Sequence, residues 1–452
     1  MSTLAAAADS MHGTLHGADH GFSGVSTDTR TLKAGELFVA LQGPNFDGCD
    51  YVGQARDKGA AGAVVSRLVD EEIPQIAVED AKRALGELGS AWRQQLSPIV
   101  VGVTGSNGKT TLKELTAACL ATAAPTLATH GNLNNDIGMP LMLTRIEERH
   151  RFAVIEMGAN HAGEIAYLTA LAKPDVVVIT NAGAAHLEGF GSLDGVARGK
   201  GEILCGEVRP KVAVLNADDR SFDYWSKLVE DTQMITFGID AEADVHARNI
   251  VAEADRSSFD LLTPIGQIDI TLPLSGRHNV RNACAAAAIA VAVGLDIADI
   301  KAGLESVKPV EGRLRRLAGV AGATVYDDSY NANPLSVVAA AEFLASLPGE
   351  NVMVLGDMGE LGDDAARLHA ETGSQVRDAG ISRLLATGEL SRNTVEAFGE
   401  GASWHADIDD LATRLKAELG EGVNVLVKGS RFMRMERVVE ALLDPQAASM
   451  EA

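Results

Sequence analysis

The most regular feature of the sequence is an alternation of short apolar runs with helix-length segments of mixed polarity. Short runs rich in Val, Ile and Leu predict buried strands, and the segments between them are long enough for crossover helices. Because this alternation is typical of parallel sheets, we expect an α/β fold. The clearest predicted strands are 99–103, 152–155, 176–180, 212–216, 351–355 and 424–427.

Two breaks in this pattern divide the chain. Ser97-Pro98 precedes the predicted strand 99–103, and Lys308-Pro309 ends a helix-rich stretch that begins near Asn279. A length of 452 residues favours about three domains. We therefore predict domains at 1–97, 98–310 and 311–452. The apolar stretch 283–295 is too short to span a bilayer and predicts a buried helix. The region 220–270 is expected to be rich in loops.

Net charge narrows the range of partners. The chain has 62 acidic and 39 basic residues, and its formal charge of -23 repels nucleic-acid phosphates and anionic lipid. We therefore expect neither nucleic acid nor a membrane as a main partner. Separately, we expect a monomer with small-molecule substrates. Four cysteines lie far apart without a CxxC pair, and the first residues lack a basic, apolar secretory pattern. Both features predict a cytoplasmic protein.

The strongest chemical signal is a glycine loop. Residues 99–111 read IVVGVTGSNGKTT. A β-branched run leads into a glycine turn, and residues that favour helix follow the turn. In this context backbone N–H groups at a helix N-terminus bind phosphate, a lysine adds a cation, and a threonine hydroxyl suits Mg²⁺. The general phosphate-loop pattern would need glycine at Val103, so this is a shorter form. The predicted ATP-binding residues of the loop are Gly105, Ser106, Asn107, Gly108, Lys109, Thr110 and Thr111.

The octapeptide TGSNGKTT after a buried strand resembles the ATP loop of the Mur ligases and of the related folylpolyglutamate synthases. The resemblance covers nearly the whole chain and implies an ATP-dependent ligase that forms an amide bond. It also implies three α/β domains: an N-terminal uridine-nucleotide domain, a central P-loop domain of parallel sheet and helices, and a C-terminal Rossmann-like domain. The last is expected to close on the substrates.

The resemblance extends to a metal centre. Glu156 follows the predicted strand 152–155, where a carboxylate beside a phosphate loop can bind a hard cation. The resemblance implies that Glu156, with Thr110, binds Mg²⁺ and that His186 lies near a second Mg²⁺. Lys200 occupies the position of a lysine that CO₂ carbamylates in several relatives. Carbamylation needs a neutral amine, which burial near cations favours, so Lys200 is expected to be either a carbamate or a simple cation.

Other segments resemble the remaining parts of the family's site. The loop THGNLNNDIGMP supplies Asn134 and Asn135, which are expected to face the reacting acyl group. Arg313, in VEGRLRR, is expected to reach the ATP phosphates, and Asp328 the ribose. Tyr330 stands where some relatives have a lysine, so that ATP contact is not expected here. On the adenine side Asn279 and Asn282 lie one helical turn apart, so both can face the same pocket.

The N-terminal segment VSTDTRTLKAGELFVALQG resembles the uridine-nucleotide domain of the ligases that act late in precursor assembly. The residues expected to bind the nucleotide are Ser26, Thr27, Asp28 and Arg30, with Asn45 and Asp47 in the following loop. Within the family, the absence of a D-N-P-R signature and the presence of DDSYNANP, GDMGELG and LVKGSR favour the branch that adds D-alanyl-D-alanine. The residues expected to bind this dipeptide are Asn331, Asn333, Lys428 and Arg431.

The reaction implied by the resemblance joins D-alanyl-D-alanine to UDP-N-acetylmuramoyl-tripeptide through an acyl phosphate. Lys109, His186, Lys200 and Arg313 would carry the catalysis. Three alternatives remain: the preceding ligase, which adds diaminopimelate or lysine to a dipeptide precursor; a P-loop ATPase or kinase; and a nonenzymatic nucleotide-binding scaffold. The intact set of Lys109, Thr110, Glu156 and His186 argues against the scaffold.

Overall fold

Three separate sheets follow one another along the chain in the computed structural model, which describes residues 3–229 and 231–444. The first sheet has the order β1-β7-β6-β3-β2, and all its neighbours are parallel except β1. Its elements are α1 (Leu4–Ser10), β1 (Thr14–His16), β2 (Gly24–Ser26), β3 (Glu36–Val39), β4 (Gln42–Gly43) and β5 (Phe46–Asp47), then α2 (Val52–Asp57), β6 (Gly62–Val65), β7 (Gln75–Ala77) and α3 (Ala81–Gln95). Strands β4 and β5 form a small hairpin beside this sheet.

The central sheet has nine strands in the order β16-β15-β14-β13-β12-β11-β8-β10-β9. Its first half comprises β8 (Ile99–Thr104), α4 (Lys109–Ala123), β9 (Thr126–Ala128), α5 (Gly138–Thr144), β10 (Phe152–Glu156), α6 (Glu164–Ala172), β11 (Val176–Ile179), α7 (Leu187–Phe190) and α8 (Leu193–Gly201). The second half comprises β12 (Val212–Asn216), α9 (Phe222–Ser226), β13 (Gln233–Gly238), β14 (Val245–Ala252), β15 (Ser257–Thr263), β16 (Gly266–Leu272), α10 (Arg277–Ala292) and α11 (Ile297–Ser306).

Strand β8 lies between β10 and β11 and is buried on both faces. Val101 and Val103 point into a core shared with α4 and α10, whereas Val100 belongs to the core on the opposite face. This double burial explains the uninterrupted apolar run IVVGV, because a parallel strand covered on both faces has no polar side. The alanine-rich helix α10 packs closely on the first face, with residues 283–290 fully buried.

The C-terminal sheet has the order β17-β18-β22-β19-β20-β21, with only β17 antiparallel. Helices on both faces give it a Rossmann-like arrangement. Its elements are β17 (Arg315–Ala318), β18 (Thr324–Asp328), α12 (Pro334–Ala345), β19 (Glu350–Leu355), α13 (Ala365–Asp378) and β20 (Arg383–Thr387), then α14 (Ser391–Phe398), β21 (Ala402–His405), α15 (Ile408–Glu418), β22 (Val423–Lys428) and α16 (Glu436–Leu442).

Helix α3 attaches the first sheet firmly to the central one. Gly86 and Gly89 let it approach closely, because an added Cβ would lie 2.5 Å from the Tyr167 hydroxyl and 2.8 Å from the Pro140 carbonyl. Arg93 Nε donates to the Ala172 carbonyl at 2.9 Å, and Trp92 Nε1 donates to the Ile146 carbonyl at 2.8 Å. These contacts lie on α5, on the segment that follows it and on α6, so α3 joins the first sheet to the central domain at several points.

The structure confirms the predicted α/β fold and the six predicted strands, and the helix expected at 283–295 is the larger part of α10. The prediction that 220–270 is loop-rich was wrong. This region contains β13 and the antiparallel strands β14 to β16, which extend the central sheet. The boundaries near 97 and 310 stay a prediction. Within the described ranges, no helix is both long and apolar enough to cross a bilayer.

Candidate active site

A cleft of about 310 Å³ opens where β8 and β10 end, between the central and C-terminal sheets. The position of the cleft follows from the parallel pairing of β10 with β8. Glu156, at the end of β10, pairs with Val103, so it lies beside the glycine loop that follows β8. Parallel sheets commonly bind ligands at this edge. The cleft brings together predicted site residues from position 106 to position 428: Ser106, Asn107, Gly108, Lys109, Thr110, Asn134, Asn135, Glu156, His186, Arg313, Asn331, Asn333 and Lys428.

The glycine loop is held from below by the segment that follows β11. The Ser106 N–H donates to the Asn181 carbonyl at 3.0 Å, and the Asn107 N–H donates to Asn181 Oδ1 at 3.0 Å. Gly108 has a φ of 82° and begins α4, and an added Cβ would lie 2.7 Å from Asn282 Oδ1. The loop therefore requires glycine at position 108, and it directs the N-terminus of α4 into the cleft. Thr111, in the first turn of α4, is buried below the surface of the cleft.

Two cationic side chains lie at the loop: Lys109 of the loop itself, and Arg313 from the segment that leads into the C-terminal sheet. Lys109 folds back so that Nζ donates to the Gly105 carbonyl at 2.6 Å, and burial lowers its pKa, opposed by Glu156 and assisted by Arg313. Arg313 lies after α11 and stacks 4.1 Å from the ring centre of Tyr330. Its Nη2 lies 3.4 Å from Thr110 Oγ1. Arg313 therefore brings positive charge from the C-terminal side to the hydroxyl predicted to bind Mg²⁺.

Glu156 has the properties of a metal ligand. Its side chain is only 2% exposed, Oε1 accepts a hydrogen bond from Asn134 Nδ2 at 2.8 Å, and Oε2 has no hydrogen-bond partner among the described residues. A buried carboxylate oxygen without a partner is costly unless it binds a cation. Residues 3–229 and 231–444 contain no group of three His, Cys, Asp or Glu side chains that could hold a metal ion. Mg²⁺ does not need such a group, because it is commonly bound by one or two protein oxygens, phosphates and water.

His186 meets a carboxylate of the C-terminal domain. Its Nδ1 lies 2.6 Å from Oε2 of Glu360, and the Glu188 N–H donates to the Glu360 carbonyl at 3.2 Å. Both His186 and Glu360 have positive φ angles, 55° and 61°, which side-chain-bearing residues adopt rarely. Hydrogen bonding with His186 lowers the pKa of Glu360. The sequence did not single out Glu360, although it lies within the GDMGELG segment.

The side chains of Asn107 and Asn333 form a reciprocal amide pair. Asn333 Nδ2 donates to Asn107 Oδ1 at 2.7 Å, and Asn107 Nδ2 donates to Asn333 Oδ1 at 3.2 Å. Asn333 Oδ1 also accepts from the Ser336 N–H at 3.0 Å and so caps α12. Asn107 was predicted to bind ATP and Asn333 to bind the dipeptide. The structure adds that these two side chains hydrogen-bond directly to each other between the central and C-terminal domains.

The remaining residues assigned to the dipeptide occupy different environments. Lys428 is 3% exposed, and its Nζ donates to Asp328 Oδ2 at 2.7 Å and to the Asn331 carbonyl at 2.9 Å. Asp328, the predicted ribose contact, is therefore already paired. Arg431 is exposed, lies 3.3 Å from Glu436 and does not line the cleft.

The two asparagines assigned to adenine contact each other but do not line the same cleft. Asn282 Nδ2 donates to Asn279 Oδ1 at 3.4 Å, and Asn282 also abuts Gly108. Asn279 lines a second cleft, bounded by Ser275 and by the segment that leads into β17. The adenine role of both residues stays a prediction.

Lys200 lies behind the cleft and is fully buried. Its Nζ donates to the Ala159 carbonyl at 3.3 Å and lies 5.1 Å from the ring centre of Phe190. Gly199 makes this packing possible, because an added Cβ would lie 2.3 Å from the Phe190 ring. Burial lowers the pKa of Lys200 to about 7, with Lys109 acting in the same direction. The amine therefore has access to the neutral form that carbamylation requires.

The residues assigned to the uridine nucleotide lie at the carboxyl edge of the first sheet. Asp28 follows β2 and pairs with Arg30 at 2.6 Å, with Thr27 beside them, while the Ser26 hydroxyl donates to the Asp28 carbonyl. Asp47 follows β3 and pairs with Arg67 at 3.1 Å, and Asn45 is exposed in the same hairpin. These two groups follow adjacent parallel strands, so they share one edge. No contact joins them among the described residues.

Sequence reasoning missed three residues that shape the cleft. Thr180 and Asn181 hydrogen-bond to Asn107 of the glycine loop. Glu360 lines the cleft from the C-terminal domain. For Thr180 and Asn181 a signal was available, because they end a predicted strand adjacent to the loop strand. Glu360 had no comparable signal, since its position depends on how the two domains meet.

Three family models match the chain in order. They are the Mur ligase family catalytic domain at residues 21–93, the Mur ligase middle domain at 103–290 and the Mur ligase glutamate ligase domain at 312–431. Together they match more than half of the chain.

Whole-chain comparisons agree with these models. The chain is 45% identical to the UDP-N-acetylmuramoyl-tripeptide--D-alanyl-D-alanine ligase of Escherichia coli, over 97% of this chain and 98% of that protein. A crystal structure of MurF from Acinetobacter baumannii superposes with a TM-score of 0.91 at 36% identity, covering 96% and 97% of the two chains. The structure of MurF ligase from Thermotoga maritima in complex with ADP superposes with a TM-score of 0.83 at 28% identity, covering 95% of this chain and 98% of that chain.

The amide pair between Asn107 and Asn333 generates a first prediction. Replacing either residue by Ala removes both hydrogen bonds and should cost the closed form about 1–2 kcal/mol, a factor of roughly 5–30 in the ratio of closed to open molecules. The double variant should be no more open than the Asn107→Ala variant. Small-angle X-ray scattering of the ligand-free protein measures this opening.

Ser336→Ala is the matched control, because it removes a reciprocal contact at the start of α12 and leaves the amide pair intact. It should keep the unmodified scattering profile. Additive opening by Asn107→Ala and Asn333→Ala would contradict a shared bond.

Proposed function

The chain belongs to the Mur ligase family, and from this premise we propose that it joins D-alanyl-D-alanine to UDP-N-acetylmuramoyl-tripeptide with hydrolysis of ATP. The observation that carries the proposal is the meeting, in one cleft, of the phosphate loop with Arg313 and with Asn331 and Lys428 of the C-terminal domain. A simple ATPase would not need this second domain over its phosphates. The E. coli protein that is 45% identical bears the name of this activity, which further supports the proposal.

In the first step a carboxylate oxygen of the tripeptide attacks the γ-phosphorus of ATP, the bond to the β,γ-bridging oxygen breaks, and ADP leaves. Positioning and charge stabilisation supply most of the catalysis in phosphoryl transfer. Lys109 would leave the Gly105 carbonyl to bind a phosphate oxygen, while N–H groups at the N-terminus of α4 bind others. Arg313 would stabilise the same charge from the opposite side.

Mg²⁺ fits the residues present, because the buried Glu156 Oε2 lacks a partner and the Thr110 hydroxyl and His186 line the same cleft. When bound, the cation neutralises phosphate charge. Glu156, Thr110 and His186 are the residues that would hold it, with Asn134 fixing the orientation of the Glu156 carboxylate.

In the second step the dipeptide amine, after losing a proton, attacks the acyl carbon, and phosphate leaves as the amide forms. The acyl phosphate must be kept from water until then. The contacts Asn107–Asn333 and His186–Glu360 join the central and C-terminal domains across the cleft and would provide this shielding. The uridine end of the precursor would lie on the carboxyl edge of the first sheet, near Asp28 and Arg30.

A second prediction tests the phosphate loop. Lys109→Ala should lower kcat about a thousandfold, because it removes one cation from the transferring phosphoryl group. Phosphate release measured with saturating ATP, tripeptide precursor and dipeptide gives the value. Lys416→Ala, at an exposed lysine of α15, is the control and should keep the unmodified rate. Near-normal turnover by a folded Lys109→Ala variant would rule out this role.

A third prediction concerns Lys200. If Lys200 carries a carbamate, CO₂-free buffer should inactivate the enzyme and added bicarbonate should reactivate it. Because the lysine pKa is about 7, the amine is protonated below this pH and neutral above it. At a fixed concentration of dissolved CO₂, reactivation should therefore become faster as the pH rises through about 7 and then level off. Full activity without CO₂ at every pH would leave Lys200 unmodified.

A fourth prediction separates this activity from that of the preceding ligase. The enzyme should release phosphate only with both tripeptide precursor and D-alanyl-D-alanine, and should make negligible product from diaminopimelate or lysine with the dipeptide precursor. Discrimination based on polar groups that need a partner can reach about four orders of magnitude. Product analysis by mass spectrometry decides, and the reverse preference would keep the family but contradict the proposed substrate.

A further inference from the structure

The proposed reaction brings an ammonium group into a cleft that already contains several cations. Lys109, Arg313 and Lys428 all line it. The dipeptide must place its amino group close to the acyl carbon, beside these charges. An unpaired ammonium there would be repelled, so the site needs a carboxylate that is not used by anything else.

Three carboxylates line the described part of the cleft: Glu156, Glu164 and Glu360. Glu156 is buried, is oriented by Asn134 and is suited to a metal ion. Glu164 is occupied within its own loop, since it accepts from the Asn160 N–H at 2.7 Å and lies 3.2 Å from His161 Nδ1. Two further acids near the C-terminal strands are also occupied.

Those two acids are Asp328 and Asp357. Asp328 pairs with the buried Lys428. Asp357 Oδ1 accepts from the N–H of Ser391 at 2.8 Å and from its hydroxyl at 2.7 Å. Neither carboxylate lines the cleft, so neither competes for a ligand there.

Glu360 differs from all of these. Its side chain is 53% exposed, and its close partner is the imidazole of His186, which can be exchanged for another donor. It belongs to the domain that closes over the phosphate loop, and its backbone is fixed against α7 by the bond from the Glu188 N–H. Its positive φ is the kind of backbone strain that is often found at ligand-binding positions.

We propose that the carboxylate of Glu360 binds the α-ammonium group of the incoming dipeptide and orients its nitrogen toward the acyl carbon. In the ligand-free protein, His186 Nδ1 occupies the place of this ammonium donor. The inference rests on the proposed function, because it assumes an acceptor with an amino group. It makes Glu360 a substrate-binding residue that fixes where the amine lies, and His186 remains free to serve the metal once the dipeptide is bound.

The test is a comparison of Michaelis constants for the full chain. Glu360→Gln keeps the shape of the side chain but removes its charge, so KM for D-alanyl-D-alanine should rise about ten- to hundredfold, the loss expected for one charge-assisted hydrogen bond. KM for ATP, KM for the precursor and the Mg²⁺ concentration for half-maximal rate should stay unchanged. Glu360→Asp should recover part of the loss, because it restores the charge on a shorter side chain.

An analogue provides a readout that a structural role would not affect. A dipeptide with a hydroxyl in place of the amine lacks the ammonium, so its inhibition constant should be the same for the unmodified enzyme and for Glu360→Gln. Glu188→Gln is the matched control, since it removes an equal charge from an exposed neighbour that does not line the cleft. It should leave every constant unchanged.

Two results would overturn the inference. An unchanged KM for the dipeptide in Glu360→Gln would show that another group holds the amine. A parallel rise in KM for ATP and in the Mg²⁺ requirement would show that Glu360 acts only through His186. Failure of the proposed function would look different, because the unmodified enzyme would then make no product from D-alanyl-D-alanine.

Discussion

The site depends on one steric constraint, the close packing of the glycine loop on the segment that follows β11. An added Cβ at Gly105 would lie 1.9 Å from the Thr180 hydroxyl, and one at Gly108 would meet Asn282. The loop is therefore confined between two fixed groups. Asn181 holds the N–H groups of Ser106 and Asn107 from below, and the N-terminus of α4 that follows is directed into the cleft. This arrangement requires β11 beside β8 and α10 beneath the loop, so the strand order and the buried alanine face of α10 both serve it.

The two junctions between domains differ in chemistry, and this difference determines which part can move. Helix α3 is attached to the central domain by glycine contacts, by half-buried hydrogen bonds from Trp92 and Arg93, and by an apolar cluster that includes Leu88 and Leu141. The C-terminal domain meets the cleft through the polar pairs Asn107–Asn333 and His186–Glu360. Polar groups that are separated can be hydrated again at little cost, whereas separated apolar surfaces cannot. We therefore expect the C-terminal domain, rather than the first domain, to open and close.

The sequence was sufficient to predict the features that depend on local sequence pattern and on pairing between neighbouring strands. The buried parallel strands and the glycine loop are coded by contiguous residues, and Glu156 follows from the strand that carries it. The antiparallel strands β14 to β16 escaped prediction because a register shift between Arg248 and Val251 breaks the alternation, and Asn249 there has a φ of 52°. The pair Asn107–Asn333 joins residues 226 positions apart, so it depends on the docking of two domains and no local pattern encodes it.

Two buried charged groups in and behind the cleft have few or no polar partners among the described residues, and their charges are opposite. Glu156 Oε2 has no hydrogen-bond partner in the described chain, and the Lys200 ammonium has only the Ala159 carbonyl at 3.3 Å and the face of Phe190. Burying each charged group costs folding free energy, and no ion pair between the two offsets that cost in the described part of the chain. A cation at Glu156 would remove the first cost. The neutral amine, which burial favours by lowering the pKa of Lys200 to about 7, would relieve the second, and it is this form that a carbamate would require. A chain with a net charge of -23 thus keeps poorly partnered charge of both signs in and behind the cleft that contains its phosphate loop.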